Sequence, residues 1–244
     1  MERLQPLTAS ITGIDGTGKN TALQTAVNRL SPTYKIGVLG KPAYVVDSLT
    51  TRNIHGLLTQ GSDMIHMAAN KTGLKPLSTF ASALDVATQG RVIQRKLENT
   101  NPHLIIGPRD YIIDPAVYSI FYAGIIAGKT PSQRLDFFRL ASGMHLRDVI
   151  FQLTVDPDEA VQRIFKREKE QSGGNTNMRT PGRYMHEERS HLEKLQNEYP
   201  VILAAVKRQG VNNIHTVNTS ALSEPQVANT VTATLEQHLH DRNI

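Results

Sequence analysis

Gly13-Ile14-Asp15-Gly16-Thr17-Gly18-Lys19 is the stretch that decides how this chain folds. It follows a short apolar run, residues 7–12, that reads as a buried strand, and it leads into residues with helical spacing (Leu23, Ala26, Val27 and Leu30). The spacing G-x-x-x-x-G-K between a strand and a helix is typical of a phosphate-binding loop. Its glycines let several backbone N–H groups converge on anionic oxygens, and the helix adds the positive end of its dipole. Lys19 then reaches the β- and γ-phosphates as a point charge.

The residue after Lys19 departs from the usual motif. A Ser or Thr at that position normally holds the magnesium ion, whereas this chain has Asn20 there and a hydroxyl only at Thr21. An asparagine carbonyl oxygen can ligate a hard cation, so metal binding is one interpretation. A loop that binds nucleotide but supports only slow turnover is the other, and the sequence leaves both open.

The composition is that of a globular protein with a moderate positive charge. With 244 residues, 39% hydrophobic and 20% charged, the chain is long enough for one α/β domain with a sizeable core. A formal net charge of +5 suits phosphorylated small molecules and would also suit weak nucleic-acid binding. The basic residues are spread along the chain rather than gathered into one run, which favours small molecules over nucleic acid.

Several classes of protein are excluded by what the sequence lacks. It contains no cysteine, so disulfides, thiolate metal sites and thiol catalysis are ruled out. The first residues do not resemble a signal peptide, and no run reaches 18 apolar residues. We therefore expect a cytoplasmic protein without a membrane-spanning helix.

Short apolar runs alternate with helical patterns along the chain, which predicts a parallel sheet with helices on both faces. The predicted strands are Leu7–Ile14, Lys35–Leu39, His103–Ile106, Val149–Val155 and Asn213–Val217. The predicted helices after the first are Ser78–Glu98, Asp114–Ala127, a helix from Asp156 to Lys169, Tyr184–Gln209 and Ser223–His240. Ligands of such sheets bind beyond the carboxyl ends of the strands, where residues such as Arg109 and Asp110 fall.

A stretch rich in Gly, Ser and Asn, residues 171–177, precedes a basic segment that ends at Arg183. Basic residues beside a flexible loop are what a lid over phosphates requires. We interpret residues 168–184 as such a lid, and a solvated loop that happens to be basic is the alternative.

The chain resembles the thymidylate kinase family, within the wider group of nucleoside and nucleotide kinases. The resemblance is diffuse and runs in order through most of the sequence. It is carried by GIDGTGKNT at Gly13–Thr21, ASALDVATQGR at Ala81–Arg91, IIGPRDYIIDPAVYS at Ile105–Ser119, LTVDPDEAVQRIFKR at Leu153–Arg167, and Arg183-Tyr184.

The resemblance implies a three-layer P-loop fold, formed as a single domain over residues 1–244. Its five-stranded parallel sheet would have the order 2-3-1-4-5, with helices on both faces and a lid. The family uses magnesium-ATP as donor and a deoxynucleoside monophosphate as acceptor, and dTMP is the leading candidate here. Homodimers are frequent in the family, so we expect one, with no membrane and no nucleic-acid partner.

The resemblance also implies roles for individual residues. The donor phosphates would be held by Lys19 with the loop residues Gly13, Asp15, Gly16, Thr17, Gly18, Asn20 and Thr21. Arg109 would lie between the donor and acceptor phosphates. Arg163, Arg167 and Arg183 would close on the γ-phosphate and the ATP base. The acceptor side would comprise Phe80, Asp85, Arg91, Arg109 and Tyr118, and the candidate magnesium ligands are Asn20, Asp15 and Asp110.

The acceptor side departs from the family pattern, which keeps other functions open. The arginine expected to bind the acceptor phosphate aligns with Val86, and Lys41 stands in place of a carboxylate after the second strand. Because of Val86, a deoxynucleoside kinase, or a kinase for another nucleotide, is one alternative. Lys41 argues against the nucleoside kinase, since such kinases usually keep a carboxylate base after the second strand. A nucleotide-binding protein of the same fold with little transfer activity is another.

Overall fold

A computed structural model describes residues 5–39, 94–171 and 188–242, together with residues 80, 83, 84, 86–88 and 90. The strands are β1 (Leu7–Thr12), β2 (Ile36–Val38), β3 (Leu104–Gly107), β4 (Val149–Thr154) and β5 (Ile214–Asn218). The helices are α1 (Lys19–Leu30), α2 (Arg95–Glu98), α3 (Ile113–Tyr122), α4 (Gly124–Ala127), α5 (Pro131–Ser142), α6 (Pro157–Gln171), α7 (Arg189–Arg208) and α8 (Glu224–Asp241).

The five strands form one parallel sheet in the order β2-β3-β1-β4-β5, as the resemblance implies. The first strand is central, with β3 on one side and β4 on the other. Ser10 of β1 lies opposite Gly107 of β3, and Thr12 lies opposite Gln152 of β4. Because parallel strands end at the same edge, the segments after β1 and β3 meet there. The residues after Thr12 and those after Gly107 are therefore neighbours.

Side chains alternate between the two faces of the sheet and divide the core into two clusters. One cluster includes Ile105 and Ile150 and packs against α3, α5 and α7. The other includes Ile106 and Phe151 and packs against α1 and α8. Strands covered on both faces explain the continuous apolar runs of the sequence, and the result is three layers.

All five predicted strands are present, with ends that differ by one or two residues. The predicted helix Asp114–Ala127 is broken at Ala123, whose φ of −121° and ψ of 64° lie outside the helical region, so α3 and α4 are separate. Residues 80, 83, 84, 86 and 87 are helical, consistent with the predicted helix Ser78–Glu98, although residues 88, 90 and 94 have a wider π-type turn. Residues 172–184 of the predicted lid lie outside the described residues. Among the described helices, none combines the length and the apolar character needed to cross a bilayer.

Helix α5 is absent from the sequence prediction. Thr130 Oγ1 accepts a hydrogen bond from the Gln133 amide, and the Thr130 amide donates one to Gln133 Oε1, with Pro131 in the first turn. This capping box, Thr-Pro-Ser-Gln, was a readable start signal. The helix then contributes Leu135 and Phe138, 1% and 0% exposed, to the core.

Leu135 and Leu140 lie on the same helix and differ in burial, 1% against 76% exposed. We expect Leu135→Ala to lower the free energy of unfolding by about 2–5 kcal/mol, because it leaves a cavity in the core. The matched variant Leu140→Ala should change it by less than about 0.5 kcal/mol. Urea denaturation followed by circular dichroism measures both, and equal effects would show that α5 does not pack as described.

Candidate phosphate-binding site

Glycine is required at two positions of the loop between β1 and α1. Gly13 and Gly16 have φ of 144° and 84°. A Cβ on Gly13 would lie 2.3 Å from the Leu153 carbonyl oxygen, and one on Gly16 would lie 2.7 Å from the Ala160 carbonyl oxygen. The loop thus lies directly against the end of β4 and the first turns of α6. Any side chain at these positions would push it off that support.

The carbonyl oxygens of the loop are held by side chains. Lys19 Nζ donates to Gly13 O at 2.7 Å and to Ile14 O at 2.8 Å, and Arg163 Nη1 donates to Gly16 O at 3.2 Å. All peptide bonds of the described residues are trans, so each carbonyl points opposite to the following N–H. The amides of Ile14, Asp15 and Thr17 therefore face away from these donors, as an anion-binding nest requires.

The first turn of α1 adds further uncapped amides. Gly18, at φ 81°, is the N-cap and provides no side-chain hydrogen bond, and the first turn contains no acidic residue. The free N–H groups and the helix dipole therefore favour an anion at this end. Asn20 and Thr21 are exposed in the same turn. The donor groups present fit the phosphates of a nucleotide.

Lys19 is buried, and two nearby carboxylates act on its charge. Its side chain is 9% exposed, and burial lowers its pKa, while the charges of Asp15 and Asp114 act in the opposite direction. Asp15 Oδ1 lies 3.9 Å from Lys19 Nζ and 3.8 Å from Arg109 Nη2. The structure therefore brings together three predicted site residues, Asp15, Lys19 and Arg109. The Arg109 side chain is 55% exposed at this edge of the sheet.

Asp110, a predicted magnesium ligand, is buried and hydrogen-bonded within the protein. It is 1% exposed, and its carboxylate accepts hydrogen bonds from Ser10 Oγ at 2.8 Å and from the amides of Ile112 and Ile113 at 2.9 and 2.8 Å. These contacts join β1 to the start of α3. One lone pair of Oδ2 is not used by these three hydrogen bonds, and magnesium ligation by Asp110 stays a prediction.

Asp114 and Tyr199 belong to the site but were not predicted from the sequence. Asp114 Oδ1 accepts hydrogen bonds from Thr12 Oγ1 and, at 2.9 Å, from Tyr199 Oη. Tyr199 Oη also lies 3.0 Å from Gly13 O. Burial raises the pKa of Asp114 to about 6, against the opposing effects of Lys19 and of the Thr12 hydrogen bond. A buried carboxyl and a buried phenol thus lie directly beneath the loop.

The Arg163 guanidinium donates hydrogen bonds to three different parts of the protein. Besides Gly16 O, it donates to Thr219 O at 3.0 Å, to Thr219 Oγ1 at 3.2 Å and to Glu159 Oε1 at 2.7 Å. It therefore links the loop to α6 and to the residue that follows β5. Through these contacts Arg163 supports the loop, and its expected role at the γ-phosphate stays a prediction. Arg167, one turn later, is exposed and lies near enough to contribute to the lowered pKa of Lys19.

The predicted acceptor residues are only partly described. Tyr118 is half-buried on α3, and the charges of Asp15 and Arg109 both act on its hydroxyl. Phe80 is 59% exposed, and Val86 is 2% exposed in the core. Asp85, Arg91 and Arg183 lie outside the described residues. Within the described ranges, no three His, Asp or Glu side chains form a metal-binding group.

Comparison with known proteins identifies the fold. No protein-family model matches the chain, and no curated protein matches it in sequence. Among solved structures, a deoxyadenosine kinase from M. mycoides, with the products dCMP and a flexible dCDP bound, superposes with a TM-score of 0.57 at 14% identity. The match covers 95% of this chain and 100% of that chain. With the sheet order and the loop, this likeness shows that the chain has the P-loop kinase fold.

Gly16 and Gly128 offer a matched test of the loop backbone. At Gly16 the backbone has φ 84°, and an added Cβ would lie 2.7 Å from the Ala160 carbonyl oxygen. At Gly128 the backbone has φ −82°, and an added Cβ would have no atom within 4 Å. We expect Gly16→Ala to lower the free energy of unfolding by about 1–3 kcal/mol and Gly128→Ala to leave it unchanged or raise it slightly. Urea denaturation of both variants measures these changes. An unchanged free energy of unfolding in Gly16→Ala would contradict the close packing of the loop on α6.

Asp114 predicts a pH dependence of stability. Its folded pKa of about 6 lies above its ordinary value of 3.8, so the folded state binds more protons between these values. Stability should therefore fall as the pH rises from about 4 to about 6, by up to about 2 kcal/mol. Lys19, Arg109, Asp110 and Tyr199, which surround the carboxyl, are all retained in Asp114→Asn.

The measurement is the free energy of unfolding of wild type and Asp114→Asn at several pH values across that window. Asp114→Asn should lack the pH-dependent contribution of the Asp114 carboxyl to the free energy of unfolding. As the pH rises, the free energy of unfolding of the wild type should therefore fall relative to that of the variant. Asp136→Asn, which removes a half-exposed carboxylate on α5, should keep the wild-type slope. Parallel curves for wild type and Asp114→Asn would show that Asp114 does not titrate in this range.

Proposed function

We propose that the chain is a kinase that transfers the γ-phosphoryl group of ATP to a deoxynucleoside monophosphate, with dTMP as the first acceptor to test. The observation that carries this proposal is the conformation of residues 13–19. Their carbonyls are bound from the protein side and their amides face the opposite way, above the uncapped start of α1. Such a nest, with a buried lysine, binds a polyphosphate.

The proposed chemistry is positioning and charge neutralisation. An acceptor oxygen forms a bond to the γ-phosphorus, the bond to the bridging oxygen breaks, and ADP leaves with that oxygen. Lys19 and the loop amides hold the donor phosphates, and Arg109, with its exposed guanidinium 3.8 Å from Asp15, contacts the transferred group. Magnesium, when bound with ATP, neutralises charge on the phosphates, and Asp15, Asn20 and Thr21 are the groups available to hold it directly or through water.

A deoxynucleoside as acceptor is the second candidate. Val86, at the position where the resemblance implies a phosphate-binding arginine, is 2% exposed in the core and provides no charge. The superposed neighbour is itself named as a deoxyadenosine kinase, which favours this acceptor class no less than dTMP. Transfer would then be to the sugar hydroxyl, whose proton must be accepted by a base. A homodimer and a cytoplasmic location complete the proposal.

The deciding experiment is a coupled assay of ADP release with ATP, magnesium and a panel of deoxynucleosides and their monophosphates. Turnover with dTMP above all others supports the first assignment, and turnover with a nucleoside supports the second. ATP binding by calorimetry without turnover for any acceptor would indicate a nucleotide-binding protein with weak catalysis. Absence of ATP binding would refute the function altogether.

Comparing Lys19→Met with Lys207→Met should show whether activity depends on the loop lysine itself or only on the total positive charge. Because Lys19 is the buried cation of the loop, we expect its loss to lower kcat/KM by about 100-fold or more. Lys207→Met removes the same charge from an exposed position at the end of α7 and should keep kcat/KM within about two-fold. Equal behaviour of the two variants in the coupled assay would place phosphate binding elsewhere.

A further inference from the structure

The side chain of Asp110 joins the turn between β3 and α3 to the central strand. Its Oδ1 accepts hydrogen bonds from the amides of Ile112 and Ile113, at 2.9 and 2.8 Å, where α3 begins. Its Oδ2 accepts one from Ser10 Oγ of β1 at 2.8 Å. Asp110 and Ser10 are 1% and 0% exposed, so water does not readily replace these hydrogen bonds. The carboxyl therefore caps the start of α3 and holds it on β1.

The backbone of the same turn is fixed as well. The Asp110 N–H donates to Asp114 Oδ2 at 3.2 Å, and the Asp110 carbonyl accepts from the Asp114 amide at 3.1 Å. The turn also folds closely over the end of β3, because a Cβ on Gly107 would lie 3.2 Å from the Arg109 carbonyl oxygen. The backbone that carries Arg109 is thus fixed relative to the sheet through the residue that follows it.

Arg109 depends on this backbone for its position. Its guanidinium is 55% exposed, and Nη2 lies 3.8 Å from Asp15 Oδ1, which is longer than a hydrogen bond. A contact of this length does not by itself hold an exposed side chain with several rotatable bonds. A tilt of the turn would displace the guanidinium at the far end of the side chain. A displacement of about 1 Å at reacting groups can lower the rate about 100-fold.

We propose that Asp110 is a positioning residue, which holds Arg109 where its guanidinium meets the phosphoryl group in transfer. The inference rests on the proposed function, since it requires Arg109 to contact that group. Positioning and magnesium ligation make different demands on residue 110. An asparagine also accepts hydrogen bonds from two amides and hydrogen-bonds to Ser10, whereas the loss of the negative charge weakens a magnesium site.

The coupled assay, with calorimetry of ATP binding, tests the proposal. Asp110→Ala removes all three side-chain hydrogen bonds and should lower kcat by about ten-fold to 100-fold. Asp110→Asn should rescue kcat to within about three-fold of the wild type, at the wild-type half-maximal magnesium concentration. Ser10→Ala removes only the contact with β1 and should lower kcat about three-fold or more, which keeps a test if Asp110→Ala does not fold. ATP affinity should stay within about three-fold throughout, because the phosphate-binding loop is unchanged.

A double variant shows whether Asp110 acts through Arg109. Adding Asp110→Ala to Arg109→Met should lower kcat by less than about two-fold further, because the arginine is already missing. The temperature of unfolding should fall by the same amount in both backgrounds, since the lost hydrogen bonds are the same. Thr130→Ala, the matched control, removes the cap of α5, a helix outside the proposed site. It should lower the temperature of unfolding and leave kcat within about two-fold.

Three results would overturn the inference and leave the proposed function standing. The first is an Asp110→Asn variant that loses as much kcat as Asp110→Ala, and a raised half-maximal magnesium concentration would then assign the carboxyl to the metal. The second is an additive loss of kcat in the double variant. The third is a kcat within two-fold of the wild type in Asp110→Ala, or in Ser10→Ala if the former does not fold. A wild type without ATP-dependent turnover would refute the proposed function, and the inference with it.

Discussion

The site depends on hydrogen bonds that hold the carbonyl oxygens of Gly13, Ile14 and Gly16 toward the protein. A trans peptide cannot present its N–H to a ligand unless its C=O points the other way, so an anion nest needs donors behind it. Here the donors come from α1, α6 and α7, through Lys19, Arg163 and Tyr199. The packing of three helices around the end of β1 is thus what creates an outward-facing row of amides.

Burying a lysine beneath such a nest requires compensation by charge. An isolated buried ammonium is strongly disfavoured, and Asp15 and Asp114 provide opposite charge near Lys19. Asp114 accepts hydrogen bonds from the side chains of Thr12 and Tyr199. Asp110, just before the same helix, accepts one from Ser10 of β1. Helix α3 therefore does more than cover the sheet, because its acidic first turn lets a cation remain beneath the loop.

Local patterns in the sequence were sufficient for the sheet, the loop and most helices. The strands are covered on both faces and therefore read as continuous apolar runs in the sequence. Residues Gly13 to Lys19 have the glycine and lysine spacing that is typical of a phosphate-binding loop. Helix α5 also had a local signal, the capping box from Thr130 to Gln133, which the apolar pattern alone did not reveal. The break at Ala123 also had a local signal, Gly124 directly after it, but the apolar pattern continues past this glycine and the predicted helix ran through it.

The supports of the loop could not be predicted, because they join residues far apart in sequence. Tyr199 is 186 positions from Gly13, and in the sequence it is one apolar residue of an amphipathic helix. The resemblance implies a phosphate contact for Arg163, and its observed contacts with Gly16 O and Thr219 join residues far apart in sequence. A sequence motif identifies which backbone will curl around an anion. The side chains that bind the loop carbonyl oxygens come together only in the folded state. Any side chain that places a hydrogen-bond donor beside those oxygens can therefore hold the loop in this conformation. The likeness to the solved kinase at 14% identity extends to the fold and says nothing about these supports.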